Sequence, residues 1–362
     1  MTMTSRERIR LLLGGTIPDC MGLYEHFWGE TLSQDWPKQG LPQNTAVEDL
    51  FGFDIQNAGG WFNTEPFPGR REVLQESDEW IVARDGRGAA LKQWKNKSGT
   101  PEHIAFEVAT RETWNKYREP LLTFNQERLG NIEDAAKALA EIRAKGRFAV
   151  YGNLFVFELL RGTLGDENFL PALLLEPEWI RDFCQVYLDH FRTHYEALFR
   201  HAGKPDGMFI YEDFGYRNGL FCSPAVMRDL ILPFHRQLVG FFKDYGLPVI
   251  LHSCGDIRKA VPLAIEAGFD CLQPMEAKAG CDVLEFAREY GNRIAYMGNI
   301  DIRALETNNP AGVEAEILPK LRELKRLRAP YIFHSDHSIP PTVAYETYLH
   351  ALRVFKDNRH YD

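Results

Sequence analysis

The sequence predicts an α/β protein folded as a single distorted (β/α)8 barrel of the TIM type with an N-terminal elaboration. Three observations predict it. From residue 147 onward, short apolar runs alternate with helix-length amphipathic segments, the pattern of βαβ units and a parallel sheet. The runs are apolar without clean alternation, as strands covered on both faces should be. Each run also finishes in chemically reactive side chains, and the carboxyl ends of parallel strands share one mouth when the sheet closes.

The first 110 residues carry Trp28, Trp36, Trp61, Trp80 and Trp94, five of the seven tryptophans, among many Pro and Gly residues. Residues 79–96 read as a hairpin turning at Asp85-Gly86. This portion is expected to cover one end of the barrel within one domain spanning 1–362, the βα repeats being clearest over 147–362. Strands are then expected within 147–155, 206–214, 247–255, 269–275, 292–301 and 329–337. Helices are expected over 178–203, 226–246, 257–268, 283–291 and 312–328. Several helical segments end at a glycine just before the next strand, the position a left-handed C-terminal cap requires. No GxGxxG or GxxxxGK[ST] opens any of these helices, which removes the usual dinucleotide and P-loop readings.

Composition bounds the function classes. The chain has 362 residues, 44% hydrophobic and 26% charged, with a formal net charge of −9. That is ordinary globular usage, and the acidic balance argues against a nucleic-acid binder. No run of about 18 apolar residues is present, so no membrane span is expected. The start, MTMTSRERIRLLLGG, lacks the long apolar core of an export signal. Six cysteines scattered through the chain do not resemble a disulfide framework, which fits a reducing cytoplasm.

The sharpest feature is Leu251-His252-Ser253-Cys254-Gly255 at a strand end. Residues i and i+2 of a strand point to the same side, so His252 and Cys254 aim together. An imidazole nitrogen and a thiolate so placed hold zinc, given one or two further ligands. The competing reading is a half-buried histidine beside a structural cysteine. Phe333-His334-Ser335-Asp336-His337 ends another run and offers two histidines and a carboxylate ahead of Pro340-Pro341. By alternation His334 and Asp336 share one side, while His337 lies past the strand end. Asp336 and His337 are the candidate further metal ligands, and His337 is also a candidate catalytic residue. Of Glu212-Asp213, the candidate catalytic carboxylates, one should face the mouth, where it can ligate metal, orient a histidine or act as acid or base, and the other the helix layer or a following turn. Candidate substrate-binding residues are Glu25, His26 and Trp28, a polar pair set in aromatics, with Tyr151, Gln273 and Asn299 on other strands. Cys281 reads as a small loop residue.

GLPVILHSCGDI, EAGFDCLQPMEAKAGCDV, YMGNID and DHSIPPTVAYET together resemble the uroporphyrinogen decarboxylase superfamily. His337 and Ile339 match the places of that superfamily's His-x-Ile ending. The resemblance runs from about residue 147 to the end, and more loosely to EHFW, FGFD and FELLRG. It implies a single distorted (β/α)8 barrel and one of two chemistries. The decarboxylase branch uses no cofactor and binds an acidic tetrapyrrole through an arginine-rich N-terminal segment. The corresponding stretch here, PDCMGLYEHFWGE, has no arginine. The methyltransferase branch holds zinc with a His-x-Cys pair and a distant third ligand, usually Cys, and passes a methyl group to or from a corrinoid protein or a thiol such as coenzyme M.

His252 and Cys254 match that pair. The third position departs from the pattern, because His337 or Asp336 stands where those enzymes carry Cys; His337 equally matches a histidine of the decarboxylase branch. The resemblance thus implies a zinc-dependent methyltransferase, a small-molecule methyl donor or acceptor, a corrinoid partner protein and room for a homodimer, with no role for nucleic acid or membrane. The alternatives are a metal-independent lyase acting on a carboxylated substrate and a non-catalytic barrel that binds a corrinoid or tetrapyrrole.

Overall fold

The structure is a computed structural model that describes residues 3–96 and 100–361. In chain order its strands are β1 (Gly22–Leu23), β2 (Ile55–Asn57), β3 (Glu72–Glu76), β4 (Trp80–Arg84), β5 (Ala89–Trp94), β6 (Glu102–Phe106), β7 (Phe148–Leu154), β8 (Gly207–Tyr211), β9 (Gly215–Tyr216), β10 (Gly219–Leu220), β11 (Val249–Ser253), β12 (Cys271–Pro274), β13 (Ala295–Met297) and β14 (Tyr331–Phe333). Eight form one sheet in the order β1-β14-β13-β12-β11-β8-β7-β2, every neighbouring pair parallel. Helices fill the crossovers, so the architecture is a nearly closed α/β barrel of the expected class. All six strands expected after residue 147 form, each inside its expected range. One connected apolar core joins the barrel strands to the surrounding helices.

Two differences have clear physical causes. The helix expected over 226–246 is two helices, Pro224–Leu230 and Leu232–Asp244. Pro233 has no N–H for the carbonyl four residues back, and that carbonyl, of Asp229, instead accepts from Arg181 at 3.0 Å. The N-terminal portion does more than cover the barrel, because it supplies β1 and β2. Its remaining strands make a separate antiparallel sheet, β3-β4-β5-β6. The hairpin read over 79–96 is β4-β5, and the Asp85 carboxylate accepts from the amides of Arg87 and Ala89 to shape the turn. Among the described residues, no helix is long and apolar enough to cross a membrane.

The barrel closes where β1 meets β2, through Asp54. Its amide donates to the Leu23 carbonyl at 2.8 Å, while its carboxylate accepts from the Leu23 amide at 2.8 Å. The same carboxylate takes Arg8 at 2.8 Å and Ser5 at 2.5 Å. Arg8 and Asp54 side chains are 7% and 2% exposed, and Arg8 also pairs with Asp19. Removing one partner of such a pair strands a buried charge, at a cost of about 3–5 kcal/mol. Asp54→Ala should therefore lower unfolding free energy by about that much in urea titrations; a loss below about 1 kcal/mol would show that the seam holds without it.

Candidate active site

Parallel register sets the layer of side chains at the mouth. His252 is paired with Tyr211 on one side and Gln273 on the other. Tyr24 and His26, which follow β1, lie within 6.3 Å and 5.7 Å of Phe209 on β8 by ring centroid. β1 and β8 are not neighbours in the sheet, so these rings meet across the barrel. Phe209 and Tyr211 therefore point inward, and by strand alternation Asp213 follows them while Glu212 points out.

The outcome for the acidic pair is clear. Glu212 is fully buried and accepts from the amides of Phe157 and Glu158, the start of the helix Val156–Leu164, and from His235 Nε2 at 2.6 Å. It anchors a helix. Asp213 lies at the mouth, its Oδ1 accepting from the Cys254 amide at 2.8 Å and standing 3.5 Å from His252 Nε2. Cys254 Sγ is 3.4 Å from the same nitrogen. Ligand atoms of Asp213, His252 and Cys254 all lie within 4.8 Å of one another, the one such group of three among the described residues. Donors at 2.0–2.3 Å from a tetrahedral zinc are about 3.3–3.8 Å apart, so the donor set and both measured edges fit that ion. Burial, then the carboxylates of Asp213 and Glu276, push the Cys254 thiol well above its ordinary pKa.

A chain of hydrogen bonds orients the histidine. His334 Nδ1 faces two acceptors, its neighbour's carbonyl on Ser335 at 2.5 Å and Glu25 Oε1 at 3.2 Å. That nitrogen carries the proton, leaving Nε2 bare. The Gln273 amide nitrogen, 3.2 Å away, donates to it, which turns Gln273 Oε1 toward His252 Nδ1 at 2.5 Å. His252 thus keeps its proton on Nδ1 and presents an unprotonated Nε2 to Asp213 and Cys254. A partner on the far nitrogen is how ligating histidines are normally held. His26 completes the cluster, its Nδ1 3.0 Å from His334 Nε2 and its Nε2 3.3 Å from the Tyr24 hydroxyl.

The remaining expected residues divide. Asp336 does not join the ligand group: its oxygens accept from the amides of Ile302 at 2.8 Å and Ala277 at 3.0 Å, bracing two mouth loops. His337 is at the mouth, stacked on Trp28 at 6.0 Å, but also outside the group. The group of three at the mouth thus contains Asp213 and neither Asp336 nor His337, because β14 ends at Phe333 and the chain beyond it turns into loop contacts. Asn299 spends its amide on the carbonyls of Met275 and Cys281 and the amide of Val283. Tyr151 points into the helix layer, its hydroxyl 3.3 Å from the Gly203 carbonyl and its ring beside Phe199. Phe27, beside the expected His26 and Trp28, joins an aromatic core with Trp36, Phe51 and Tyr348. Tyr211, 5.1 Å from the His252 ring, and Glu276 were not among the expected residues. Alternation back from Asp213 was a signal for the first; the second sits in a loop with no periodic signal.

Glu25 is neutral in this setting. Burial raises its pKa to about 8, against the donors Ser335 and His26, which lower it. Burial also lowers His334 to about 3. A carboxyl with a raised folded pKa contributes stability that is complete below its unfolded value near 4.5 and lost as pH rises through about 8. The difference in unfolding free energy between Glu25→Gln and wild type should therefore shift in favour of the variant from pH 5 to 8, by at most about 1.4 kcal/mol per unit, and level off above. Parallel pH profiles would show that Glu25 folds ionised.

Comparison with known proteins agrees with this architecture. A solved structure described as a methyltransferase from Methanosarcina mazei superposes with a TM-score of 0.66, covering 98% of this chain and 99% of that one at 15% identity; at that identity the likeness is one of fold. A curated methylated-thiol–coenzyme M methyltransferase, also of Methanosarcina mazei, is 30% identical over 101 residues, which is 28% of this chain and only a quarter (25%) of that relative. Residues 97–357, well over half of the chain, match the family model for uroporphyrinogen decarboxylase (URO-D), and the chain belongs to that family.

Proposed function

We propose that this chain is an enzyme that moves a methyl group between a small substrate and either a corrinoid on a partner protein or a thiol, with zinc held by His252, Cys254 and Asp213. The observation that carries the reading is one nitrogen at tetrahedral-edge distance from both a sulfur and a carboxylate oxygen, the three donor atoms lying within 4.8 Å of one another at the barrel mouth. The short match to a curated methyltransferase supports the reaction class. All six cysteines are free thiols, which supports a reducing, cytoplasmic setting.

The chemistry that a bound zinc supplies at such a site is Lewis acidity toward the heteroatom that gives or receives the methyl group. The protein's share lies in its own residues. Gln273 fixes the His252 tautomer, and the Cys254 amide fixes Asp213, so the donors are oriented before anything binds. Three protein ligands leave a fourth position open, as catalytic zinc sites do. Tyr211, with Trp61 5.4 Å from it, forms an aromatic wall beside His252. Trp28 and His337 stack at the same mouth and are placed to contact substrate.

Purified wild-type protein should contain about one zinc per chain, measured by elemental analysis. Cys254→Ala, His252→Ala and Asp213→Ala should each lose most of it, whereas Asp336→Ala should keep its zinc and lose thermal stability. Wild-type protein essentially free of zinc, or zinc unchanged in Cys254→Ala, would sink the reading and leave the metal-independent lyase. A second test isolates Gln273. Gln273→Leu should weaken zinc binding about 10- to 100-fold in chelator competition, with stoichiometry retained at saturating metal. Unchanged affinity would mean that His252 needs no partner to hold its tautomer.

A further inference from the structure

Trp61 and Tyr211 make the aromatic wall beside His252, with ring centroids 5.4 Å apart. Trp61 is 44% exposed, and its indole makes no hydrogen bond among the described residues. Gly59 and Gly60 precede it with φ +86° and +70°, and a Cβ on Gly60 would strike the Tyr151 ring. Only glycine permits this left-handed, close-packed path, and glycine also leaves the chain freest to turn there. Where Trp61 stands is therefore decided by what holds the residues after it.

One buried side chain, Arg128, does most of that holding. The Asn63 amide donates to the Arg128 carbonyl at 2.8 Å. In return Arg128 Nη1 donates to the carbonyls of Asn63 at 3.1 Å and Glu65 at 2.5 Å. Its Nη2 donates to the carbonyls of Pro66 at 3.2 Å and Pro120 at 3.4 Å. Arg128 is 4% exposed and pairs with no carboxylate among the described residues. An unpaired charge is costly to bury, but a guanidinium alone offers a planar fork of donors wide enough to tie two segments together. The segment that bears Arg128 is itself fixed to the helix Pro177–His201. His190 Nδ1 donates to the Leu121 carbonyl at 2.9 Å, and the Asn125 amide donates to His194 Nε2 at 3.4 Å. Phe62, next to Trp61, stacks on the His194 ring at 5.2 Å.

From this we infer that Arg128 is a positioning residue for the barrel mouth. Its guanidinium locks residues 63–66 so that Trp61 closes on Tyr211, and the closed wall limits the bulk of the group admitted beside His252 and Cys254. Arg128 touches no residue of the donor group, and it acts on the site only through Trp61. The inference rests on the reading above for the mouth being the reacting site, but needs neither zinc nor methyl transfer. A loosened loop would leave the donors in place and widen what can reach them.

The test uses full-length protein stripped of metal and reads access to Cys254. The thiol is modified in parallel with methyl methanethiosulfonate and with the bulkier benzyl methanethiosulfonate, both neutral. Adducts on the Cys254 peptide are quantified by mass spectrometry, with Cys254→Ser as the blank. Arg128→Met should raise the bulky-to-small rate ratio about three- to tenfold, what losing one or two hydrogen bonds does to a local opening equilibrium. Trp61→Ala should raise it at least as much, and the double variant should match Trp61→Ala alone, because one residue acts through the other. Arg128→Lys, which keeps the charge without the fork, should fall between wild type and Arg128→Met. Amide exchange over residues 61–66 should rise in Arg128→Met while β7 and β8 stay protected, a sign that the barrel is intact. Should Arg128→Met fail to fold, Arg128→Lys carries the same readings. Equal ratios in wild type and the Arg128 variants, unchanged exchange over 61–66, or effects that add in the double variant would each overturn the inference. Wild-type protein free of zinc, with the ratios as expected, would instead count against the metal reading alone.

Discussion

The register of three adjacent parallel strands is the constraint on which the site depends. β8, β11 and β12 pair so that Tyr211, His252 and Gln273 stand side by side, and a shift of one residue would send all three into the helix layer. Asp213 and Cys254 lie two residues beyond Tyr211 and His252 on the same inward side. Both stand just past their strands, where the Glu212 amide still donates to the His252 carbonyl at 2.9 Å and the Cys254 amide to Asp213 at 2.8 Å, so the pairing direction is carried one step beyond the strand ends. This is why a mouth assembled from separate strands can be as exact as the 3.4–3.5 Å spacings require.

That layer was legible in part before the structure. Periodicity located the six later barrel strands, and the His-x-Cys spacing located two of the three residues grouped at the mouth, because both signals are local. β1 and β2 were not legible. They are two and three residues long, too short for any hydrophobic period, and their places come from closure around Asp54 and the distant Arg8. Asp336 lies outside the group of three for a related reason. Asp336 has the right parity on paper, but parity holds only while the strand lasts. Ser335 and Asp336 are already engaged with Ile300 and the loop amides. Conversely, Glu212-Asp213 posed a local choice that only the inward rings of Phe209 and Tyr211 resolve.

Polar groups inside a barrel are costly unless each finds a partner. Here Glu25, Ser335, His334, His26, Gln273 and His252 form one continuous set of contacts, mostly buried. Burial keeps the carboxyl protonated and the inner imidazoles neutral. A neutral network has direction: the proton on His334 Nδ1 decides the orientation of Gln273, and Gln273 decides which nitrogen of His252 is bare. Glu25, which does not contact His252, is therefore linked to it through hydrogen-bond direction rather than through charge.

Membership of the family does not by itself choose between metal-free and metal-assisted chemistry, since both are built on this barrel. The donor set is what separates them. A His/Cys pair completed by a second thiolate is a soft site, suited to a sulfur partner. Were zinc held as proposed, completion by the Asp213 carboxylate would leave the net ligand charge the same and make the set harder. Thiolates donate more electron density to a metal than carboxylates do, so such a mixed set would leave more Lewis acidity for an oxygen-bound methyl group. On the proposed zinc reading, a hard third donor would favour an ether or hydroxyl compound over an apolar thioether.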